Sequence, residues 1–445
     1  MAAIDKSIYE KFIIESADGK RTADISQGVV AFTYYENIFS PIITARAIVV
    51  NTSGTVKGDD GKEKSLYNGL PLRGGERVQI KISGNSKINK KGLDFSETPT
   101  DYFYVSSITN VLVDAGREIF TLNLTSREAL TNETIRVGKK FPTSQKISDS
   151  VEDILKNYLK TDKINEIDET QNPYGFIGNM KKPFTILTWL ASKSIAYGGP
   201  KEDSSAGFVC FQTMDGFNFK SIDKLIEQEP FEEDYSYNPG VVDGNDPKKD
   251  FKILQYGIDR NQDLIGKLER GAYSSIRYYI NPVTFGLSPD VVFNSSKYLD
   301  KTSNLGSNEI TLPKINDDSD DTIGDLPSRI FVSMLDIGTV EKDATDNGWN
   351  DPSKQNADPS KFHAQSMMRY NQLLTQVVDV TIPLNITLRA GGVIRCMFPS
   401  LEKSKRKEPD QQTSGLYMIK ELAHFYDNDG SYTKLKLVRD SFGRK

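Results

Sequence analysis

The side chains able to move a proton near neutral pH are His363 and His424, the two histidines among 445 residues. General acid or base catalysis asks for a group poised near neutrality within reach of the reacting atom. Neither histidine stands in an HExxH or triad spacing. His424 lies between Ala423 and Phe425 in a stretch with strand alternation, which suits a packed, hydrogen-bonded ring. Cys210 and Cys396 sit in the apolar runs FVCF and IRCMF, outside any CxxC, so buried free thiols are expected rather than metal ligands or a disulfide. No GxSxG elbow, Walker loop or GxGxxG fingerprint occurs. The expected catalytic, cofactor-binding and metal-ligating residues are therefore none, no cofactor is expected, and the chain is read as not an enzyme.

Charged clusters add little chemistry. The run 316–321 (NDDSDD) has oxygen ligands for calcium but lacks the sixth-position glycine and closing glutamate of an EF-hand, so a solvated loop is expected. EPFEEDY at 229–235 reads as surface or linker. The densest basic cluster, Lys403, Lys405, Arg406 and Lys407, shares its segment with Glu402, Glu408 and Asp410, which suits a charged hairpin loop better than a phosphate-binding patch. Lys plus Arg number 56 and Asp plus Glu 61, a net charge of −5, so the chain lacks the electrostatic footprint of a nucleic-acid binder. No stretch approaches the length of apolar chain that spans a membrane, and MAAIDKSIYEKF carries charges where a signal peptide needs an apolar segment. The expectation is a protein made in a reducing cytoplasm, neither exported by a signal peptide nor embedded as a membrane span.

The elements that position any site are mostly strands. With 22 Phe and 20 Tyr against 2 Trp, the composition leans towards β structure. Residues 8–125 hold the runs IYEKFIIES, QGVVAFTYYENIF, PIITARAIVVNTSG, ERVQIKISG, DYFYVSSITNVLVD and REIFTLNLTS, parted by turn signals such as Asp18-Gly19 and Gly74-Gly75. That is the pattern of a barrel or sandwich, with TVKGDDGKEKS as an exposed loop. The period then changes. In SQKISDSVEDILKNYLK, Ile147, Val151, Ile154, Leu155, Tyr158 and Leu159 recur at threes and fours, an amphipathic helix. KPFTILTWLASKSIA forms a second, with Pro183 in its first turn and Gly198-Gly199-Pro200 as its stop. GFVCFQT and FNFKSI pair through Met214-Asp215-Gly216, and SIDKLIEQ makes a short helix capped by Ser221. Residues 300–361, rich in Ser, Asn and Asp, are expected to be mostly exposed, with one strand at RIFVSMLDIG. HAQSMMRYNQLLTQV places Met367, Met368, Leu373 and Leu374 at helical spacing for docking on a barrel.

From Gln376 onward the chain reads as four alternating runs separated by Gly391-Gly392, Ser414-Gly415 and the turn 427–430, a small antiparallel barrel ending on a strand. Its wording, aGgvI…G.Y.I.e..H…Y.T.L.LvRDs, resembles the second tube barrel of the baseplate central hub proteins of T-even-like contractile-tailed phages. It is also similar to the hub domain of type VI secretion spike proteins. The stretch KPF.IL.WLA…GF..F…DGF.FKSID.L carries the same resemblance in the middle of the chain. The match covers most of the chain in order, except that 300–361 is longer than the family pattern needs.

The resemblance implies a mainly β fold with an α+β insertion: two small antiparallel tube-type β-barrels flanking an α/β domain. On it, 1–130 is the first barrel, 131–245 the inserted domain, 246–299 with 362–445 the second barrel, and 300–361 an exposed loop-rich insertion. It further implies a structural hub subunit of a phage tail baseplate, a homotrimeric ring with pseudo-sixfold symmetry that joins the tail tube to the central spike and lines the DNA channel. The partners it implies are further copies of the chain, the tail spike, tail tube or tube-initiator proteins, the tape-measure protein and baseplate wedge proteins, with DNA only in transit. The location it implies is the virion's tail baseplate, assembled in the host cytoplasm. The residues alone leave open an OB-like module for nucleic acid or carbohydrate, which requires a groove of aromatic and basic side chains.

Overall fold

The computed structural model describes residues 3–52, 56–57, 62–114, 116–197, 206–237, 248–282, 284–296, 303–308, 310–316, 318, 320–336, 356, 359–400 and 408–445. Among the described residues the N-terminal part has ten strands: β1 (Tyr9–Glu15), β2 (Thr22–Asp24), β3 (Val29–Asn37), β4 (Thr44–Thr52), β5 (Val56–Lys57), β6 (Glu63–Lys64), β7 (Arg77–Ile82), β8 (Leu93–Phe95), β9 (Phe103–Asp114) and β10 (Arg117–Thr125). Strand alternation decides which face is inside. In β7, Val78, Ile80 and Ile82 are buried while Arg77, Gln79 and Lys81 are half-buried. The segment TVKGDDGKEKS, expected as a plain loop, instead carries the pair β5–β6, because Val56 drops into the barrel core and draws its neighbours into register with Lys64. One short helix, α1 (Leu66–Gly69), follows it.

The middle part comprises α2 (Arg127–Thr134), β11 (Lys140–Phe141), α3 (Ile147–Asp153), β12 (Ile164–Ile167), β13 (Phe176–Ile177), α4 (Pro183–Ala191), β14 (Phe208–Thr213), β15 (Gly216–Ser221) and α5 (Ile222–Glu227). Pro183 opens α4, and the Ser221 hydroxyl accepts the Lys224 amide at 3.4 Å as the cap of α5. The proposed stop of α4 at Gly198-Gly199-Pro200 lies outside the described residues. Continuing from α3, the chain widens into a π-helical turn over Ile154–Tyr158, a departure from the expected uniform helix. The adjacent residues Ile154 and Leu155 are both buried there. In the β14–β15 hairpin Gly216 has φ +130°, and a Cβ at that position would sit 2.7 Å from the Lys163 carbonyl, so glycine is required. The core of this part is separate, joining Val151, Leu187 and Leu190 with Phe217 and Phe219.

The C-terminal part contains β16 (Tyr235–Tyr237), β17 (Lys252–Ile253), β18 (Gln255–Arg260), α6 (Leu264–Glu269), β19 (Ser274–Ile280), β20 (Val291–Asn294), β21 (Arg329–Met334), α7 (His363–Leu373), β22 (Gln376–Pro383), β23 (Val393–Met397), β24 (Gly415–Tyr426) and β25 (Ser431–Arg439). The last four strands are the four runs read from the sequence. β19 pairs antiparallel with β20 and parallel with β21, and this three-stranded sheet packs on α7 through Phe293, Ala364 and Met368. The described residues of 300–361 are mostly exposed or half-buried, as expected, and β21 is the strand expected at RIFVSMLDIG, but the segment is also anchored to the barrel. Leu305 is buried against Val438 and its neighbours, its amide donates to Asp440, and β21 completes a sheet.

The barrels at the two ends of the chain share one apolar core. It runs from Phe12, Phe32 and Tyr34 to Tyr417, Leu435 and Leu437. The fold is mainly β, with the α/β part standing between its two barrel halves.

Candidate functional site

Strand β24 explains how the halves join. Its first residues, 415–418, pair with β23; its last, 421–426, pair on the same side with β3. A bulge at Lys420 separates the two stretches, and the Ile38 amide donates to the Lys420 carbonyl at 3.0 Å where β3 takes over. On its other side β24 pairs with β25, which pairs in turn with β22 and then β18; beyond β3 come β4, β10 and β9. The order β18-β22-β25-β24-β3-β4-β10-β9 is thus a run of eight strands, antiparallel at every step, within a sheet of fifteen strands among the described residues.

One face of this run covers the shared core; the other is a broad groove of about 810 Å³. Its charged lining is mixed, with Glu36, Asp379 and Glu421 against Lys434 and Lys436. Lys436 lies 3.8 Å from both Asp259 and Asp379, and Lys434 sits 4.9 Å over the Phe425 ring. An aromatic and basic groove, which the binding-module reading requires, is not what these strands present.

Both ends of the run are open among the described residues. β9 meets β7 only at Phe103 and Tyr104, so 106–114 pair with β10 alone, and β18 pairs with β22 alone. The free part of β9 has no Lys or Pro to blunt it, and Leu112 and Val113 are 63% and 73% exposed. Such an edge is a template for another strand. Asn110, at φ 55°, bulges opposite Phe120 and turns the tip.

A buried polar pin holds the junction. The Glu36 carboxylate accepts from the Tyr34 hydroxyl at 2.7 Å and from the Met214 and Ala390 amides at 2.8 Å each, tying β3 to the β14–β15 turn and to the loop before β23. Arg389 beside it pairs with Asp215 at 2.7 Å. Burial raises the Glu36 carboxyl above the usual range, while Arg389 and the three hydrogen bonds oppose that rise. His424 is fully buried, stacked on Tyr34 with ring centroids 6.0 Å apart, and its Nδ1 shares a 2.9 Å hydrogen bond with the Thr433 hydroxyl.

Burial, and then Arg389, push His424 down to about 3; burial, Arg277 and Lys193 push His363 down to about 4. Both rings are neutral at pH 7, so neither waits to give up a proton there. A histidine with its folded pKa below the unfolded value of about 6.5 supports the fold fully above that pH and loses its support as pH falls towards the folded pKa. Stability should therefore drop between about pH 6.5 and 3, with His424 contributing up to about 1.4 kcal/mol per unit. His424→Gln should flatten that slope while keeping assembly at pH 7. Denaturant midpoints of both proteins at pH 7, 5 and 4 measure it, and parallel slopes would refute it.

The other residues singled out from the sequence do not converge on this groove. Cys210 and Cys396 are free and buried, and desolvation pushes the Cys210 thiol up to about 12. Asp234 pairs with Arg395 at 3.0 Å and Glu233 approaches Lys248 at 3.8 Å, both as surface ion pairs. Lys403, Lys405, Arg406 and Lys407 lie outside the described residues, as does part of the run 316–321. Among the described residues no group of three His, Cys, Asp or Glu could hold a metal ion, and no helix is long and apolar enough to cross a membrane.

No family model matches the chain, and no curated protein matches it. Solved structures do. A tail protein from Neisseria meningitidis MC58 superposes with a TM-score of 0.52 at 8% identity, over 97% of both chains. The 43 kDa tail protein of prophage MuSo2 from Shewanella oneidensis does so with a TM-score of 0.51 at 10% identity, over 97% of this chain and 98% of that one. The protein thus shares the fold of these tail proteins along nearly its whole length.

Proposed function

We propose that this protein is a structural, non-enzymatic hub subunit of a phage tail baseplate, and that three copies form a ring joining the tail tube to the central spike around the DNA channel. One observation supports the reading: an antiparallel run of eight strands within the main sheet, built from both barrels and, among the described residues, open along 106–114 of β9 and along β18. Because the number of strands is even, β9 of one copy runs antiparallel to β18 of the next. Three copies placed head to tail extend the pattern to 3 × 8 = 24 strands, and a closed ring covers both of these open edges in every copy. Two barrels per chain then offer six similar positions around a threefold axis, as a sixfold tube requires.

The strand directions support a division of labour between the rims, and with it the division of the chain into two tube barrels and an inserted α/β domain. β10 ends into α2, β18 ends into α6 and β22 begins from α7, all at one end of the sheet. The added parts stand on that rim, suited to grip a threefold spike. The opposite rim carries the β9–β10 and β24–β25 turns, free to meet tube, tube-initiator, tape-measure or wedge proteins. A charge of −5 per chain suits a lumen through which DNA slides without sticking, in a virion. Light scattering of the purified protein, alone and co-expressed with its spike, should give three times 49.8 kDa in at least one sample. A strict monomer in both would refute the ring.

A further inference from the structure

The sheet β20-β19-β21 has a bare apolar face. Across its register Ile330, Ile276 and Val292 form one row, Val332 and Tyr278 the next, and Met334 and Ile280 the third, all pointing away from α7. No charged side chain interrupts the seven, and Val332 and Met334 are 59% and 74% exposed. Two features make this more than scattered surface apolarity. A contiguous patch of this kind marks an interaction site in a soluble protein. In addition, β19 and β21 are parallel, and sheets built wholly of parallel strands are found almost only with both faces covered, whereas this mixed sheet is covered on one face. The inner face is covered by α7 and by the Arg277 guanidinium stacked 4.4 Å over Phe331; among the described residues nothing covers the outer one.

The geometry points to a second copy of this chain as the cover, an inference that rests on the ring proposed above. Position is the first argument. The sheet follows β18, the open edge to which the neighbour's β9 would add, after only α6, and Gln262, two residues past the end of β18, donates at 3.2 Å to the hydroxyl of Tyr273, the residue before β19. Area is the second: an obligate interface buries roughly 2,000 Å² or more, far beyond what one strand of six residues against another can supply. The remainder must come from surface beside the seam, on the rim where this face stands. Complementarity is the third. The α/β part stands on the same rim and exposes Ile177 and Met180, so each copy offers an apolar knob as well as an apolar face, as a head-to-tail ring requires.

Hydroxyl-radical footprinting of Met334 reads the cover directly, because thioether oxidation follows exposure. In the isolated trimer Met334 should oxidise about tenfold more slowly than in the dilute monomer. Val332→Lys should raise the dissociation constant of the trimer about thirtyfold, the size of one hot-spot side chain, with an unchanged circular dichroism spectrum. If the variant fails to fold, the wild-type footprint alone decides. A trimer whose Met334 stays as reactive as in the monomer overturns this inference and leaves the ring standing. Protection that arises only with the co-expressed spike assigns the face to the spike and overturns it as well. Absence of any trimer removes the ring and this inference together.

Discussion

Protein truncated before Gly430, and so lacking β25, is expected to be insoluble. β25 is an interior strand of the eight-stranded run, paired with β22 from Gln376 to Pro383 and with β24 from Met418 to Tyr426. Its removal opens two edges in the middle of the sheet. It also strips Leu435, Leu437 and Val438 from the cores, at about 1.5–3 kcal/mol for each fully buried side chain, or roughly 5–9 kcal/mol in all. A domain's whole stability is about 5–15 kcal/mol. The loss also removes the Thr433 hydroxyl, which bonds the buried His424 ring and accepts the Asn385 amide at 3.1 Å. Soluble yield and scattering mass of the truncated and full-length chains decide the matter. A soluble truncated chain of trimer mass would mean that the sheet closes without its last strand.

That strand was legible because its period is regular; its neighbour shows where reading by period breaks down. In β24, Tyr417 and Ile419 point inward, but so do Leu422, His424 and Tyr426, a change of parity that the bulge at Lys420 explains. Alternation alone reads such a stretch as imperfect, when its irregularity marks the place where one barrel hands over to the other. The handover itself joins Val29–Asn37 to the far end of the chain, and no local pattern announces a pairing across that separation. Ser221 as a cap and Pro183 at a helix start were legible for the opposite reason, since each acts within one turn of itself.

Glu36 was hidden by its own strand. In FTYYENIF it stands among polar and aromatic residues like any half-exposed strand position, and the amides that bury it come from Met214 and Ala390, in two other parts of the molecule. Residues 384–390 misled in the other direction. Leu384, Ile386 and Leu388 alternate as a strand would, yet β22 ends at Pro383 and the segment is a buried loop, held by Asn385 bonds to Thr387 and to the Tyr235 hydroxyl. The parallel β12–β15 pair was equally invisible, because INEI carries too little apolar surface to read as a strand. The open edges that carry the functional proposal belong to topology and become visible only when strands are placed in order.

Arg369→Met is expected to cost about 3–5 kcal/mol, the usual result of removing one partner from a buried ion pair. The Arg369 guanidinium is fully buried, 2.6 Å from Asp223 on α5 and 3.3 Å from Asp440 just after β25, and it donates to the Ser303 carbonyl at 3.1 Å. One cation thus ties α7 to the α/β part, to the end of the C-terminal barrel and to the segment carrying Leu305. Methionine keeps the apolar stem but leaves two carboxylates in a space that excludes water. Burial already raises the Asp223 carboxyl, with Arg369 holding it down, so the substitution lets it rise further. A carboxyl whose folded pKa lies above its unfolded value binds more protons when folded, so its penalty shrinks as pH falls. The variant should therefore recover part of its lost stability between pH 7 and 5, against the wild-type trend set by His424. Adding Asp223→Asn and Asp440→Asn to Arg369→Met removes the stranded charges and should restore most of the loss at pH 7. Chemical denaturation of the single and triple variants at both pH values tests this. A single variant that loses less than about 1 kcal/mol, the range of an exposed pair, would show that the three groups are not a buried unit.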